Sequence, residues 1–329
     1  MWFKQLTGFQ EGNSPDIWSK IQIEGDYMHF HPTGRKARHG KLEITSLAEL
    51  RTRTKSLPVV EEPSQMRELV ADVTHLHQHP SNSAALFQVA SQFNLLEMVS
   101  PEITPEDGVD GYDCDYTQGP ACAIACGAGT IYRNYFVPID GKRGQCRSRQ
   151  IDCLRELGQA LGNKDNTLWH MVNGYALPTR AGLQQIHDHL LTKSNQELDY
   201  LRSLLQVGIQ WDTEVTLSNS KHCVSQVYCS ALPVAYSALP NQLWEPFARL
   251  ILEAAYEATL LAGRVNNHLN YQDKVYLTLL GGGAFGNQPE WIFDALRRAY
   301  RLNRNSGLDI QVVSYGQSNP DLKIALSEP

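Results

Sequence analysis

The sequence lacks any run of about 18 apolar residues, so it holds no candidate membrane-spanning helix. Its first residues, MWFKQLTGFQEGNSPD, lack the apolar core of a secretory signal. Positive charge is not in excess: 29 Lys and Arg stand against 35 Asp and Glu, for a net charge of −6 and a pI near 6.0. That balance argues against a nucleic-acid or anionic-membrane surface. Cysteine is sparse and odd in number, with 7 residues, several in apolar settings such as VYCSAL. This usage excludes a disulfide scaffold and suits a reduced protein of the cytoplasm or nucleus. Internal repeats and low-complexity tracts are absent. A chain of 329 residues is long enough for one large core or two smaller ones.

What is present is clearest near the C-terminus. Val275–Leu280 is apolar, with β-branched or aromatic residues at most positions, and reads as a buried strand. Gly281, Gly282, Gly283 and Gly286 follow, and Pro289 opens an amphipathic segment, PEWIFDALRRAY. Leu308–Tyr315 reads as another buried strand. Strand, glycine turn and helix N-terminus together present backbone N–H groups suited to a phosphate. No Lys-Ser/Thr follows the glycines, and their spacing is not G-x-G-x-x-G, so neither named nucleotide fingerprint applies. Phe285 inside the turn offers a ring on which a ribose or base could pack.

A second stretch, SPEITPEDGVDGYDCDYTQG, carries Glu106, Asp107, Asp110, Asp113 and Asp115 in a glycine-punctuated loop. It lacks the Glu at the twelfth position of a calcium-binding EF-hand. The small-residue segment Pro120–Phe136 follows directly, and small residues let a helix lie close to another backbone or a ligand. An acidic loop leading into such a segment reads as an active-site wall.

The remaining chain alternates strands and helices from 65 to 316, which means α/β layers about a mixed sheet. Residues 1–60 read as a small β-rich extension, with strand candidates at 17–23, 26–30 and 40–44. Pro and charge from 51 to 65 mark a connection, and Ser64 reads as the cap of a short helix through Val70. His75, His77 and His79 would share a face on a strand. They precede a Pro-Ser-Asn turn without an acidic ligand at matching spacing, so they read as surface or hydrogen-bonded residues, with no metal expected. Ala84–Ala90 is a buried strand. Helices are expected at 149–161, 182–205 and 245–263, the last stopped by Gly263.

In this order the pieces resemble a macrodomain, the ADP-ribose-binding α/β/α fold. Ala71-Asp72-Val73-Thr74 resembles the family's Gly-Asp-Ile-Thr. Val89–Asn94 sits where the family has Val-Asn-Ala-Ala-Asn, with Asn94 matching the last asparagine. The segment 117–133 takes the place of the first ligand loop and its helix, and Gly281–Asn287 resembles the second loop, with Phe285 as its aromatic. The resemblance covers about 65 to 316, more loosely from 140 to 270. It implies a three-layer α/β/α domain at 65–329, with a helical insertion at about 148–206. It further implies a ligand held by Asp72, Val73, Asn94, Gln118, Gly281, Gly282, Gly283, Ala284, Phe285, Gly286 and Asn287. Asp72 would bind the adenine amino group, Asn94 and Gln118 ribose hydroxyls, and the second loop the diphosphate.

The first loop departs from the family's glycine run, and the Gly-Gly-Gly and Gln-Glu-Glu arrangement of poly-ADP-ribose glycohydrolases is absent. An aspartate-rich first loop is similar to the divergent macrodomains that remove ADP-ribose from arginine, first seen in a bacterial effector acting on ubiquitin. This likeness implies a hydrolase of ADP-ribosyl–arginine bonds with no cofactor. Asp107 and Asp115 lead as catalytic candidates, and Asp110, Asp113 and Glu106 are alternates. Its partner would be the ADP-ribose moiety of a modified protein, ubiquitin being one carrier. Other readings are a non-catalytic ADP-ribose reader, a poly- or O-acetyl-ADP-ribose hydrolase, and a nucleotide or phosphosugar enzyme with calcium at 106–115.

Overall fold

The segment LFQVA at Leu86–Ala90 is buried on both faces, as parallel strands covered by helices must be. In the computed structural model, which describes residues 1–60, 62–270 and 272–327, it is the middle strand of a seven-stranded sheet. Across the sheet the strands are Lys41–Ser46, Gln206–Glu214, Cys223–Cys229, Leu86–Ala90, Lys274–Leu277, Asp309–Ser314 and Gln65–Val70. From Cys223–Cys229 to Gln65–Val70 every neighbour runs parallel, while the two strands at the other edge pair antiparallel. The parallel strands therefore end together on one edge of the sheet.

Helices cover both faces, giving three α/β/α layers. The 30-residue helix Asn241–Asn270 packs across the strands on one side. The helices Gln118–Ala125 and Gly127–Tyr135 cover the other. Gly263 does not stop the long helix. A Cβ at that position would lie 2.7 Å from the Val275 side chain, so the glycine lets the helix pass close over the sheet. The expected single helix at 182–205 is two helices, Arg180–Leu191 and Asn195–Ser203, the second opened by a capping box at Ser194 and Glu197. The helix expected at 149–161 is confined to Arg155–Leu161.

Three expected elements take another form. The strand candidate at 17–23 is mostly the helix Ser14–Lys20, opened by the Asn13 side chain, and strand begins only at Ile21. Gln65–Val70 is a strand rather than a helix, because it pairs in parallel with Asp309–Ser314 along its whole length. Ser64 caps nothing; its hydroxyl donates to the Asn303 carbonyl at 2.7 Å. Val73–Gln78 is a helix capped by Asp72, so the three histidines do not share a strand face. His77 is buried among Val73, Gln226 and Phe87.

The N-terminal 60 residues are divided between two structures. Lys41–Ser46 is an edge strand of the main sheet, paired with Gln206–Glu214. Helix Leu47–Lys55 packs on the long helix. The residues before them form two short helices, Trp2–Thr7 and Ser14–Lys20, and a three-stranded sheet. Phe3, Phe9, Ile17, Met28 and Phe30 share a second apolar core with Leu96, Met98, Val109 and Tyr112. This lobe lies directly beneath the acidic loop.

Candidate functional site

A cleft runs along the carboxyl ends of the parallel strands, where open α/β sheets place their ligands. It has two compartments. The larger, about 900 Å³, is lined by Asp72, Val73, Asp113, Ser314 and Tyr315 among others. The smaller, about 260 Å³, is lined by Gly281, Gly283, Ala284, Phe285, Tyr175 and Tyr236 among others. Asp115, Thr117, Gln118, Thr278 and Leu279 line both, so the two form one elongated groove.

At the far end of the large compartment, Asp72 accepts from the Thr74 amide at 2.7 Å and the Thr74 hydroxyl at 2.6 Å. Burial pushes its carboxyl up, but these bonds outweigh it and hold the group below the usual carboxylate range. At the other end is the glycine loop. Gly281 has φ +76° and Gly286 φ +69°. A Cβ on Gly281 would lie 2.5 Å from Ala231, and one on Gly286 2.8 Å from the Ala235 side chain. Asn287 ties the turn together: its amide nitrogen donates to Leu232 O at 2.9 Å, and its backbone N–H to Gly281 O at 2.9 Å. Among the described residues, the N–H groups of Gly283, Ala284 and Phe285 donate to no protein acceptor. The Phe285 ring stands 5.4 Å from Tyr175 and 5.7 Å from Tyr236, an aromatic wall. Both tyrosines come from segments that carry no motif, and the sequence offered no signal for them.

The acidic loop does not act as a unit. Asp107 accepts from the Thr104 amide at 2.8 Å and hydroxyl at 2.7 Å, bonds that hold its carboxyl low, and it lines neither compartment. Asp110 accepts the Phe3 N–H at 3.2 Å and likewise lines neither. Glu106 accepts the Arg147 N–H at 2.9 and 2.8 Å. Asp113 lines the larger compartment, with its carboxylate 2.8 Å from the Met1 nitrogen. Asp115 stands in the wall common to both, one oxygen accepting the Thr117 N–H at 2.8 Å. These separate engagements leave no carboxylate cage for calcium. Among the described residues no group of three or more His, Cys, Asp or Glu is placed to hold a metal ion.

Two residues expected at ribose hydroxyls are otherwise engaged. Asn94 is fully buried, donates to Gln150 Oε1 at 2.8 Å, accepts the Leu96 N–H at 3.1 Å, and lines neither compartment. Gln118 faces the groove, but its amide accepts Ala90 N–H at 3.0 Å and donates to Gln88 O at 2.8 Å, as another strand would. Beside it, a Cβ on Gly119 would lie 1.9 Å from Ala90 O. Only glycine lets this helix start seat against the strand end. The N-terminus of Gln118–Ala125, whose cap Thr117 makes no side-chain bond, thus meets the middle of the groove.

Glu97, which the sequence reading did not single out, lines the smaller compartment and is 2% exposed. Among the described residues neither of its side-chain oxygens has a hydrogen-bond partner. Burial pushes its carboxyl up to about 8, against the opposing pull of Arg133 and of the Tyr112 hydroxyl.

No helix among the described residues is long and apolar enough to cross a membrane. No protein-family model matches the chain, and no curated protein matches it. Among solved structures, it is similar to the poly(ADP-ribose) glycohydrolase of Thermomonospora curvata at 11% identity and a TM-score of 0.48, covering 95% of each chain. It is also similar to the Deinococcus radiodurans poly(ADP-ribose) glycohydrolase in complex with ADP-ribose, at 10% identity and a TM-score of 0.46, covering 87% of this chain and 91% of that one.

Proposed function

We propose that this protein is an ADP-ribosyl hydrolase that releases mono-ADP-ribose from arginine side chains of a modified protein. The observation that carries the reading is the position of Asp115. It is a carboxylate in the wall shared by two compartments, one ending at Asp72 and the other at the glycine loop and Phe285. An elongated ligand with a base at one end and a sugar at the other fits that shape. Asp72 suits an amino-bearing base. The unpaired N–H groups of Gly283, Ala284 and Phe285, with the nearby helix start at Gln118, suit a diphosphate. Phe285 and Tyr175 offer rings to the distal ribose.

In this mechanism water attacks the anomeric carbon while the carbon–nitrogen bond breaks, its electron pair leaving with the guanidine nitrogen. Asp115 takes a proton from the attacking water, and its charge stabilises the oxocarbenium-like transition state. Asp113 lines only the larger compartment and is paired with the Met1 nitrogen, so the charge of Asp115, which borders both compartments, also serves the cationic guanidinium. Asp107 and Asp110 hold the loop's shape through Thr104 and Phe3 instead of meeting substrate.

The test is release of free ADP-ribose, followed by chromatography, from an arginine-linked mono-ADP-ribosylated protein such as modified ubiquitin. Carboxylate-linked and poly-ADP-ribose substrates are run beside it. Turnover of the arginine substrate alone is expected. Turnover of only the other two would replace the linkage assigned here. Tight ADP-ribose binding with no turnover at stoichiometric protein would make the protein a reader.

A further inference from the structure

The smaller compartment has a carboxyl group that the reaction above does not use. Glu97 follows a tight bend in which Gln92 N–H bonds to Leu96 O at 2.9 Å and Leu95 N–H to Gln92 O at 3.0 Å. Its own N–H donates to the Tyr112 hydroxyl at 3.0 Å, which fixes where the side chain begins. The side chain then runs into the wall of the compartment beside Gly119, also a lining residue.

A bland account would make Glu97 the counter-ion of buried Arg133. The contact argues against that being its whole purpose. Arg133 Nη2 stands 3.6 Å from Glu97 Oε1, beyond a hydrogen bond. Most of the guanidinium is engaged elsewhere: Nε donates to Leu95 O at 2.9 Å, Nη2 to Thr130 Oγ1 at 3.1 Å, and the group lies 3.6 Å over the Tyr228 ring, while Nη1 is buried with no hydrogen-bond partner among the described residues. The other groups facing Glu97 are Tyr112 from the turn Asp110–Cys114, Tyr228 from the strand Cys223–Cys229, and Cys122 from the helix Gln118–Ala125. None of these is a second cation. A buried carboxyl with both oxygens unpaired holds its proton more readily than one in water.

Resting on the hydrolase reading above, we propose that Glu97 is the proton donor of the cleft. Its carboxylic acid gives its proton to the guanidine nitrogen as that nitrogen leaves the anomeric carbon. Asp115 gains the proton of the attacking water in the same turnover. The products are ADP-ribose with a new hydroxyl and a protonated guanidinium. A proton passing from Asp115 to Glu97 through solvent restores both groups. One carboxyl held protonated and one held ionised in a single groove is the division of labour that hydrolysis of a glycosidic bond calls for. The pKa of Glu97, pushed up to about 8 by burial, agrees with this assignment.

The experiment compares wild type with Glu97→Gln on two substrates over pH 5.5–9.5: the arginine-linked protein, and ADP-ribose carrying a nitrophenolate at its anomeric carbon. Nitrophenolate leaves without a proton. On the arginine substrate, E97Q should lose roughly 10²–10³-fold in kcat, the usual size of a general-acid contribution. The wild-type fall in kcat above about pH 8 should vanish with it. On the nitrophenolate substrate, E97Q should stay within about 5-fold of wild type, well short of that general-acid loss. Equal losses on both substrates would make Glu97 a structural partner of Arg133 and overturn the proposal. So would an unchanged kcat, or a wild-type profile flat to pH 9.5, which needs no variant at all. A wild type that turns over neither substrate would overturn the hydrolase reading, and the proton donor with it.

Discussion

The carboxylate of Glu11 accepts the backbone N–H of Asp110 at 2.7 Å, joining residues 99 positions apart. The same carboxylate takes the Val109 N–H at 2.9 and 3.0 Å and the Tyr135 hydroxyl at 2.8 Å. Burial raises the pKa of Glu11, and the bonds to Val109, Asp110 and Tyr135 oppose that rise. The N-terminal lobe is therefore a brace for the acidic loop. Its apolar residues share a core with Val109 and Tyr112, and the Glu11 carboxylate pins the backbone at the start of the turn that leads to Asp113 and Asp115.

Removing that brace should loosen the loop without emptying the base end of the groove. Glu11→Ala leaves two backbone N–H groups short of an acceptor, a cost of about 1–3 kcal/mol for each that stays buried. The expected outcome is faster amide hydrogen exchange across residues 109–116 and a kcat lowered more than ADP-ribose affinity. Exchange confined to residues 1–20, with kcat unchanged, would show that the loop holds its shape alone.

The acidic residues divide into groove-facing and loop-shaping groups, and their variants should divide the same way. Asp115→Asn should remove on the order of 10² or more of kcat while ADP-ribose still binds. Asp107→Asn should leave kcat within a few-fold. It should cost roughly 0.5–2 kcal/mol of stability, because Asp107 caps the turn at Thr104. Steady-state release of ADP-ribose and a urea titration on both variants check the pair. An Asp107→Asn variant as inactive as Asp115→Asn would restore Asp107 to the leading place that the sequence suggests.

The parts legible in the sequence were those governed by local chemistry. The β-branched, apolar segments at 86–90, 275–277 and 309–314 are strands, and the proline-opened segment at 289–302 is a helix. The glycine run after Leu280 forms a turn in which Gly281 and Gly286 take positive φ. What escaped depended on partners far along the chain. Gln65–Val70 carries no clear strand pattern and extends only because Asp309–Ser314 lies beside it. Gln118 was legible as a groove residue, but nothing local told that its amide would be spent on Gln88 and Ala90. Glu97 sits among Leu95, Leu96 and Met98 with no motif around it, and only the placement of Arg133 and Tyr112 makes it unusual. Counting five carboxylates in one loop could not separate Asp115 from Asp107, since that difference lies in where each side chain turns.

His77 should make the fold acid-sensitive. Its Nδ1–H donates to Val73 O at 2.8 Å, its Nε2 accepts from the Gln226 amide at 3.1 Å, and its ring stacks 3.8 Å from Phe87. Burial, the largest influence, lowers its pKa from 6.5 to about 4. The folded state thus prefers the neutral ring. The stability this confers is fully present above pH 6.5 and is lost as pH falls toward 4. The loss amounts to roughly 3 kcal/mol at most. Urea midpoints at pH 7 and pH 4.5 should differ more in wild type than in His77→Phe. Equal slopes for the two proteins would place the acid sensitivity elsewhere.

Two glycines at the groove should respond to alanine in opposite ways. At Gly119 the added Cβ would lie 1.9 Å from Ala90 O, a backbone atom that cannot step aside. The start of the Gln118–Ala125 helix must then back away from the strand end. That movement breaks the bonds of Gln118 to Ala90 and Gln88, and displaces Thr117 and Gln118 from the wall common to both compartments. At Gly283 the added Cβ meets nothing within 4 Å, and the residue does not need positive φ. Gly119→Ala should therefore weaken ADP-ribose binding by about 10-fold or more, the equivalent of one lost hydrogen bond to a charged group. Gly283→Ala should change it by no more than about 2-fold, a difference worth under half a kcal/mol. Isothermal titration of both variants with ADP-ribose gives the comparison. If Gly119→Ala bound as wild type does while Gly283→Ala did not, the ligand would lie on the glycine loop alone, and the helix start at Gln118 would have no part in holding it.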